Sequence, residues 1–232
     1  MSAPEQEPGS VVGRYARRSA ADARYSPLRP DVMATLQERQ RALRALLQAH
    51  SHDDAAALRV IEVGCGAGGN LLELLQLGFL PGRLQGVELL PERLALARER
   101  LPAGVALHGG DAVQLHLPDG SQDIVYVSTV FSSLLDDGFQ QRLADTLWRW
   151  VRPGGAVLWY DFTVDNPANR DVRGVPLRRV RELFPQARID ARRVTLAPPL
   201  ARAVCALHPS LYSLCNLLPL LRTHVLAWLA KE

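Results

Sequence analysis

Val60-Ile61-Glu62-Val63-Gly64-Cys65-Gly66-Ala67-Gly68-Gly69-Asn70 is the stretch whose reading decides the fold. The apolar run from Leu58 breaks into a cluster of glycines, and Asn70-Leu71-Leu72-Glu73-Leu74-Leu75 then takes up a helical rhythm. A strand that turns through glycines into a helix lets the backbone approach a ligand closely. The first turn of such a helix also offers N–H groups without intrahelical partners.

Downstream the same strand–helix alternation repeats. Residues 84–89 (LQGVEL) read as a second strand, 91–101 (PERLALARERL) as a helix with Pro91 in its first turn, and 105–109 (VALHG) as a third strand. Residues 123–130 (DIVYVSTV) read as a fourth strand and 139–151 (FQQRLADTLWRWV) as the helix after it. The turn Arg152-Pro153-Gly154-Gly155 feeds a fifth strand ending in Trp159-Tyr160-Asp161-Phe162. Residues 175–184 predict a basic helix, 187–196 a sixth strand, and 223–231 (THVLAWLAK) a closing strand. Alternation of this kind predicts an α/β fold, doubly wound, with helices on both faces of a mostly parallel seven-stranded sheet. Upstream, residues 1–10 read as disordered and 11–30 as an arm bearing Arg and Tyr. Asp31 reads as the N-cap of a helix that runs to His50. The chain is thus expected to divide into an N-terminal arm and helix, 1–50, and an α/β domain, 51–232, with a helical insertion at about 197–221.

With 232 residues, 47% of them hydrophobic and 22% charged, the chain can bury a sizeable core. The net charge of +3 is unevenly spread: residues 170–202 hold nine arginines against three acids, a local +6. Such a stretch suits an anionic partner. Three cysteines make neither a disulfide framework nor a zinc pattern, and the leading residues lack the apolar core of a signal peptide, so a cytoplasmic setting is expected. Residues 203–221 are apolar enough to raise the question of a membrane span. His208, Pro209, Asn216 and Pro219 argue instead for a buried or lid-forming helix, with no transmembrane segment.

Gly64, Gly66 and Gly69 satisfy GxGxxG, which alone is equally a dinucleotide fingerprint. The surroundings separate the readings. Glu62 to Gly68 resembles the first motif of the class I (Rossmann-like) S-adenosylmethionine (SAM)-dependent methyltransferases, with an acid two residues before the first glycine. Gly110-Asp111-Ala112, Asp123 to Ser128, and the Arg152-Pro153-Gly154-Gly155 turn resemble later landmarks of that family, in the same order. The resemblance spans about 58–162, nearly half the chain, and implies a last strand antiparallel to the others. It implies SAM as cofactor and S-adenosylhomocysteine as product, held by Glu62, Gly64, Cys65, Gly66, Asn70, Glu88, Leu89, Asp111, Ala112 and Ser128. In that scheme Glu62 lies near the amino-acid moiety and Glu88 accepts from the ribose hydroxyls. Asp111 accepts from the adenine amine, and the end of the fourth strand lies beside the methyl group. For Asn70 a helix-capping role is the alternative, and for Cys65 that of a small spacer.

Methyl transfer requires an acceptor lone pair in line behind the carbon, so alignment can carry most of the catalysis. A hydroxyl acceptor additionally calls for a base. Asp161, after the fifth strand, is the candidate for that role, with binding of nearby backbone as the alternative. Asn166 and Arg170, in the loop after it, are candidates for holding the acceptor. Tyr15 and Tyr25 are expected to close over the site, as leading segments do in similar enzymes. No His/Asp/Glu set has metal-ligand spacing. The expected activity is methylation of an O or N atom of a small-molecule, saccharide or lipid-linked acceptor, and the basic stretch suits an anionic one. The alternatives are a non-catalytic SAM-binding or regulatory subunit, and a nucleic-acid methyltransferase. Against the last, the basic stretch lacks interleaved aromatic residues, and no nucleic-acid partner is expected.

Overall fold

A computed structural model describes residues 6–16, 26–50, 54–165 and 169–232. Its centre is a seven-stranded sheet of β1 (Val60–Val63), β2 (Leu84–Glu88), β3 (Ala106–Gly109), β4 (Gln122–Ser128), β5 (Val151–Phe162), β6 (Arg188–Leu196) and β7 (Arg222–Ala230). The spatial order is β3-β2-β1-β4-β5-β7-β6, and β7 runs antiparallel to both β5 and β6. This is the doubly wound, mostly parallel arrangement expected from the alternation. β1 and β4 are buried along nearly their whole length because both of their faces are covered.

Eight α-helices surround the sheet among the described residues: α1 (Gln6–Ala16), α2 (Pro30–Ala49), α3 (Gly69–Gln76), α4 (Pro91–Arg100), α5 (Asp137–Trp150), α6 (Leu177–Leu183), α7 (Pro198–Leu207) and α8 (Ser210–Cys215). On one face Leu43, Leu46 and Leu47 of α2 join Leu71 and Leu74 of α3 against Ile124, Leu158 and Leu226. On the other, Leu143, Leu147 and Trp150 of α5 pack with Val180 and Leu183 of α6 on Val125, Val157 and Ala227. Strand order reverses between β1 and β4, which opens a crevice beyond their C-terminal ends where ligands of open α/β sheets bind.

Three expectations are corrected. Residues 6–10 are the start of a helix, α1. The N-cap position of α2 is Arg29, not Asp31; Asp31 sits within the first turn, paired with the Arg29 guanidinium at 3.2 Å. The apolar stretch before β7 is neither one helix nor buried throughout. It folds as α7, α8 and a 3-10 turn at Pro219–Leu221, with several leucines facing solvent. No helix among the described residues is long and apolar enough to cross a membrane.

Candidate active site

The glycine bend is shaped by what lies against it. Gly64 has φ +72° and Gly66 φ +56°, conformations that side-chain-bearing residues rarely adopt. A Cβ at Gly64 would also come within 2.6 Å of the Val130 side chain. The amides of Gly64 and Cys65 both donate to the Val87 carbonyl, at 2.8 and 3.0 Å, so the bend is stitched to the end of β2. The next residue, Glu88, is 6% exposed. Its carboxylate accepts from the Gly66 amide at 2.7 Å and from the Leu90 amide at 2.9 Å.

These groups border one cavity at the C-terminal ends of β1 to β4. Gly64, Glu88, Leu89, Asp111, Ala112 and Ser128 line it together with Tyr15, so residues distant in sequence and singled out there meet at one place. Asp111 caps the short turn that follows β3, accepting from the Val113 amide at 2.9 Å. Burial makes its carboxyl harder to ionise than usual. Thr129, directly after Ser128 on the cavity wall, has φ +54°; strain of this kind tends to collect at functional sites.

Other residues named from sequence lie elsewhere. Glu62 is fully buried beneath the bend, with Oε1 accepting from Asn70 Nδ2 at 2.6 Å. Asn70 Oδ1 in turn accepts from Arg39, whose guanidinium also pairs with Glu73 at 2.8 Å. Neither Glu62 nor Asn70 lines the cavity. The Cys65 side chain points into the α3 packing, next to Gly86 and Leu71, and burial pushes its thiol well above its usual range. Gly66 shapes the bend without being part of the cavity wall. Asp161 is 1% exposed and does not line the cavity; its Oδ2 accepts from the Ser132 amide at 2.9 Å, so it fastens the turn Phe131–Ser133. Its carboxyl is pushed up to about 7, chiefly by burial. Arg170 is exposed and away from the cavity, while Tyr25 and Asn166 fall outside the described residues.

Burial also pushes the Glu62 carboxyl up to about 8, against the opposing pull of the Asn70 hydrogen bond and the Arg39 charge. A carboxyl that ionises less readily folded than unfolded contributes stability that is complete below its ordinary value of 4.5 and lost as pH rises through 8. Melting temperature is therefore expected to fall over that window, by up to about 1.4 kcal/mol of stability per pH unit. Asp161 adds to the slope at lower pH, so the Glu62 share is best isolated above 7. Thermal melts of Glu62→Gln should show a flatter profile there; an unaltered profile would assign the slope to other groups.

Several wall residues were not marked by sequence. Pro8 and Val11 of α1 form one side of the cavity, beside Tyr15, which was expected to cover the site. That helix is held by Arg14 donating to the Ser133 carbonyl at 2.8 Å and by Glu7 accepting from the Leu135 amide at 2.8 Å. The Arg93 guanidinium lies 4.5 Å from the centre of the Tyr15 ring. Arg93 follows Glu88 closely in the first turn of α4, and that nearness was the available signal. Nothing in the sequence pointed to Arg39, which leaves α2 to reach the acids beneath the bend.

A sheet that reverses order beside a glycine bend, with strand-end carboxylates on the crevice, is an α/β fold of the class I, Rossmann-like kind. Residues 60–155 match the family described as a methyltransferase domain. It is 32% identical over 133 residues to a trans-aconitate 2-methyltransferase of Paracidovorax citrulli, covering 57% of this chain and 47% of that one. It is 29% identical over 120 residues to a tRNA N(3)-methylcytidine methyltransferase of Drosophila melanogaster, covering 47% and 37%. The chain thus spans less than half the length of these curated relatives. Among solved structures, the 1,6-didemethyltoxoflavin-N1-methyltransferase of Burkholderia thailandensis, with S-adenosylhomocysteine bound, superposes with a TM-score of 0.63 at 17% identity. That match covers 100% of this chain and 92% of that one, and it bears on the fold.

Proposed function

We propose that this chain is a SAM-dependent methyltransferase acting on an O or N atom of a small-molecule, saccharide or lipid-linked acceptor. The observation that carries the reading is the meeting of Gly64, Glu88 and Asp111 on one cavity. The chemistry of the donor set fits the cofactor. Gly64 presents bare backbone on the cavity wall, the Glu88 carboxylate has the lone pairs a vicinal diol requires, and Asp111 is an acceptor suited to an exocyclic amine. When bound, SAM supplies a methyl group on a positively charged sulfur.

The chain's own contribution is placement. Among the described residues lining the cavity, the ionisable side chains are Tyr15, Glu88, Arg93 and Asp111, and two of these are committed to the nucleoside in this reading. The reaction then rests on alignment and exclusion of water, with α1 as the covering element. Asp161 serves by holding the turn that carries Ser133 into the cavity wall. The small-acid acceptor in the name of the Paracidovorax relative is consistent with an anionic acceptor here, where residues 170–202 carry a local +6. The tRNA relative keeps nucleic acid in view, but the basic stretch lacks the stacking aromatics of a nucleic-acid surface.

Calorimetric titration of the chain with SAM, S-adenosylhomocysteine and NAD tests the assignment, followed by detection of S-adenosylhomocysteine production across carboxylate, phosphate, saccharide and amine acceptors. Binding of both sulfur nucleosides, absence of NAD binding and turnover with one acceptor class are the expected outcome. Thermal protection by NAD and not by SAM would overturn it.

A further inference from the structure

The apolar run between β6 and β7 is buried on one side only, and its outer side adjoins a basic cavity. Ala201, Cys205 and Tyr212 face inward, packed with Leu196 and with Ala34 of α2. Leu207, Leu214, Leu217, Leu218 and Leu220 face outward, each between 58% and 89% exposed. Single leucines on a surface need no explanation, whereas five between positions 207 and 220 form a patch of the sort that marks an interaction site.

The cavity is an independent observation. About 380 Å³ opens between α2, β6 and α8, with Arg41, Arg192, Arg193 and Arg222 in its wall and no lining residue in common with the nucleoside cavity. Leu217 lines it as well, so cavity and patch are continuous. Arg222 is engaged by the carbonyls of Asn216 and Arg193, and Arg192 by the Ala45 carbonyl and Asp190. Among the described residues, the side chains of Arg41 and Arg193 make neither a hydrogen bond nor an ion pair. The acid in the wall, Glu38, is saturated: the Thr195 amide, the Tyr212 hydroxyl and Asn216 Nδ2 all donate to it. Asn216 Oδ1 is buried with no partner, an acceptor suited to a hydroxyl donor.

We propose that this face docks on an anionic phospholipid surface, with the leucines entering the acyl boundary and headgroup phosphates meeting Arg41 and Arg193. Charge complementarity decides between occupants. A second copy related by a two-fold axis would bring the same basic patch against this one, whereas an anionic leaflet attracts it. Leucines and arginines side by side also supply the two signals that stable association with a bilayer surface requires. The register Phe162–His224 and Leu196–Arg222 sets the insertion at the end of the sheet where β1 to β4 open onto the nucleoside cavity. Docking would hold that end toward the membrane. The inference stands independently of methyl transfer, and its test reads no activity.

The full chain is sedimented with vesicles of phosphatidylcholine alone and of phosphatidylcholine mixed equally with phosphatidylglycerol, at low and high salt. Binding to the mixed vesicles is expected, weak on the neutral ones and reduced by salt. L217E/L220E should lower the partition coefficient by about tenfold or more. R41Q/R193Q should lower it by about fivefold per arginine. All four positions are exposed, so unchanged thermal melts are expected to accompany both variants. Absence of binding to the mixed vesicles, or equal binding by L217E/L220E, overturns the proposal. So does a dimer in sedimentation velocity that L217E/L220E abolishes while vesicles are ignored, which would make the patch a self-association surface.

Discussion

Glu88→Ala is expected to weaken SAM binding by more than about a hundredfold. A carboxylate that accepts from two ribose hydroxyls makes two charge-assisted hydrogen bonds, each contributing about 1.5–3 kcal/mol, and alanine removes both. The same change frees the amides of Gly66 and Leu90, which Glu88 binds in this structure, so a stability loss of about 1–3 kcal/mol should accompany it. The two effects separate by method. Calorimetry below the melting transition reads affinity, and the melt itself reads stability. Unchanged affinity would remove Glu88 from the site whatever happened to the melting temperature.

Gly64→Val should abolish detectable SAM binding and lower stability by about 2–4 kcal/mol. Three costs act together at this position. The positive φ of +72° is unfavourable for a β-branched residue, the new Cβ meets the Val130 methyl at 2.6 Å, and the side chain enters the cavity. Pairing the change with Val130→Ala tells them apart. The double variant relieves the clash and should recover part of the melting temperature, yet it leaves the cavity filled and binding lost. Recovered binding in the double variant would show that Gly64 matters only through Val130.

The sheet was legible because its central strands are apolar on both faces and end in glycines or acids. β1 and β4 can be read from composition alone, and β7 could be placed by its alternation with the arginine-rich strand before it. The cavity wall was half legible. Gly64, Glu88, Asp111 and Ser128 are strand-end residues whose positions follow once the strands are known. The covering helix was not legible: Gln6 to Ala16 contains a proline and two glycines, poor helix formers, and tertiary contacts through Glu7, Arg14 and Tyr15 hold it. Arg39 was hidden for a related reason. By periodicity it belongs to a polar face of α2, and its long side chain reaches the buried Glu73 and Asn70 nonetheless. For the leucines after β6, apolar character implied burial, whereas among the described residues only one side of α7 and α8 has a neighbour to pack on.

The wall that α1 contributes bears on the tempo of the reaction. With Pro8, Val11 and Tyr15 in place the cavity encloses about 130 Å³, below the roughly 300–1,000 Å³ of typical small-molecule sites. In the proposed function, admitting a nucleoside would call for the helix to shift outward. If methyl transfer is the reaction, that shift would gate nucleoside exchange, a step that sets turnover in many enzymes.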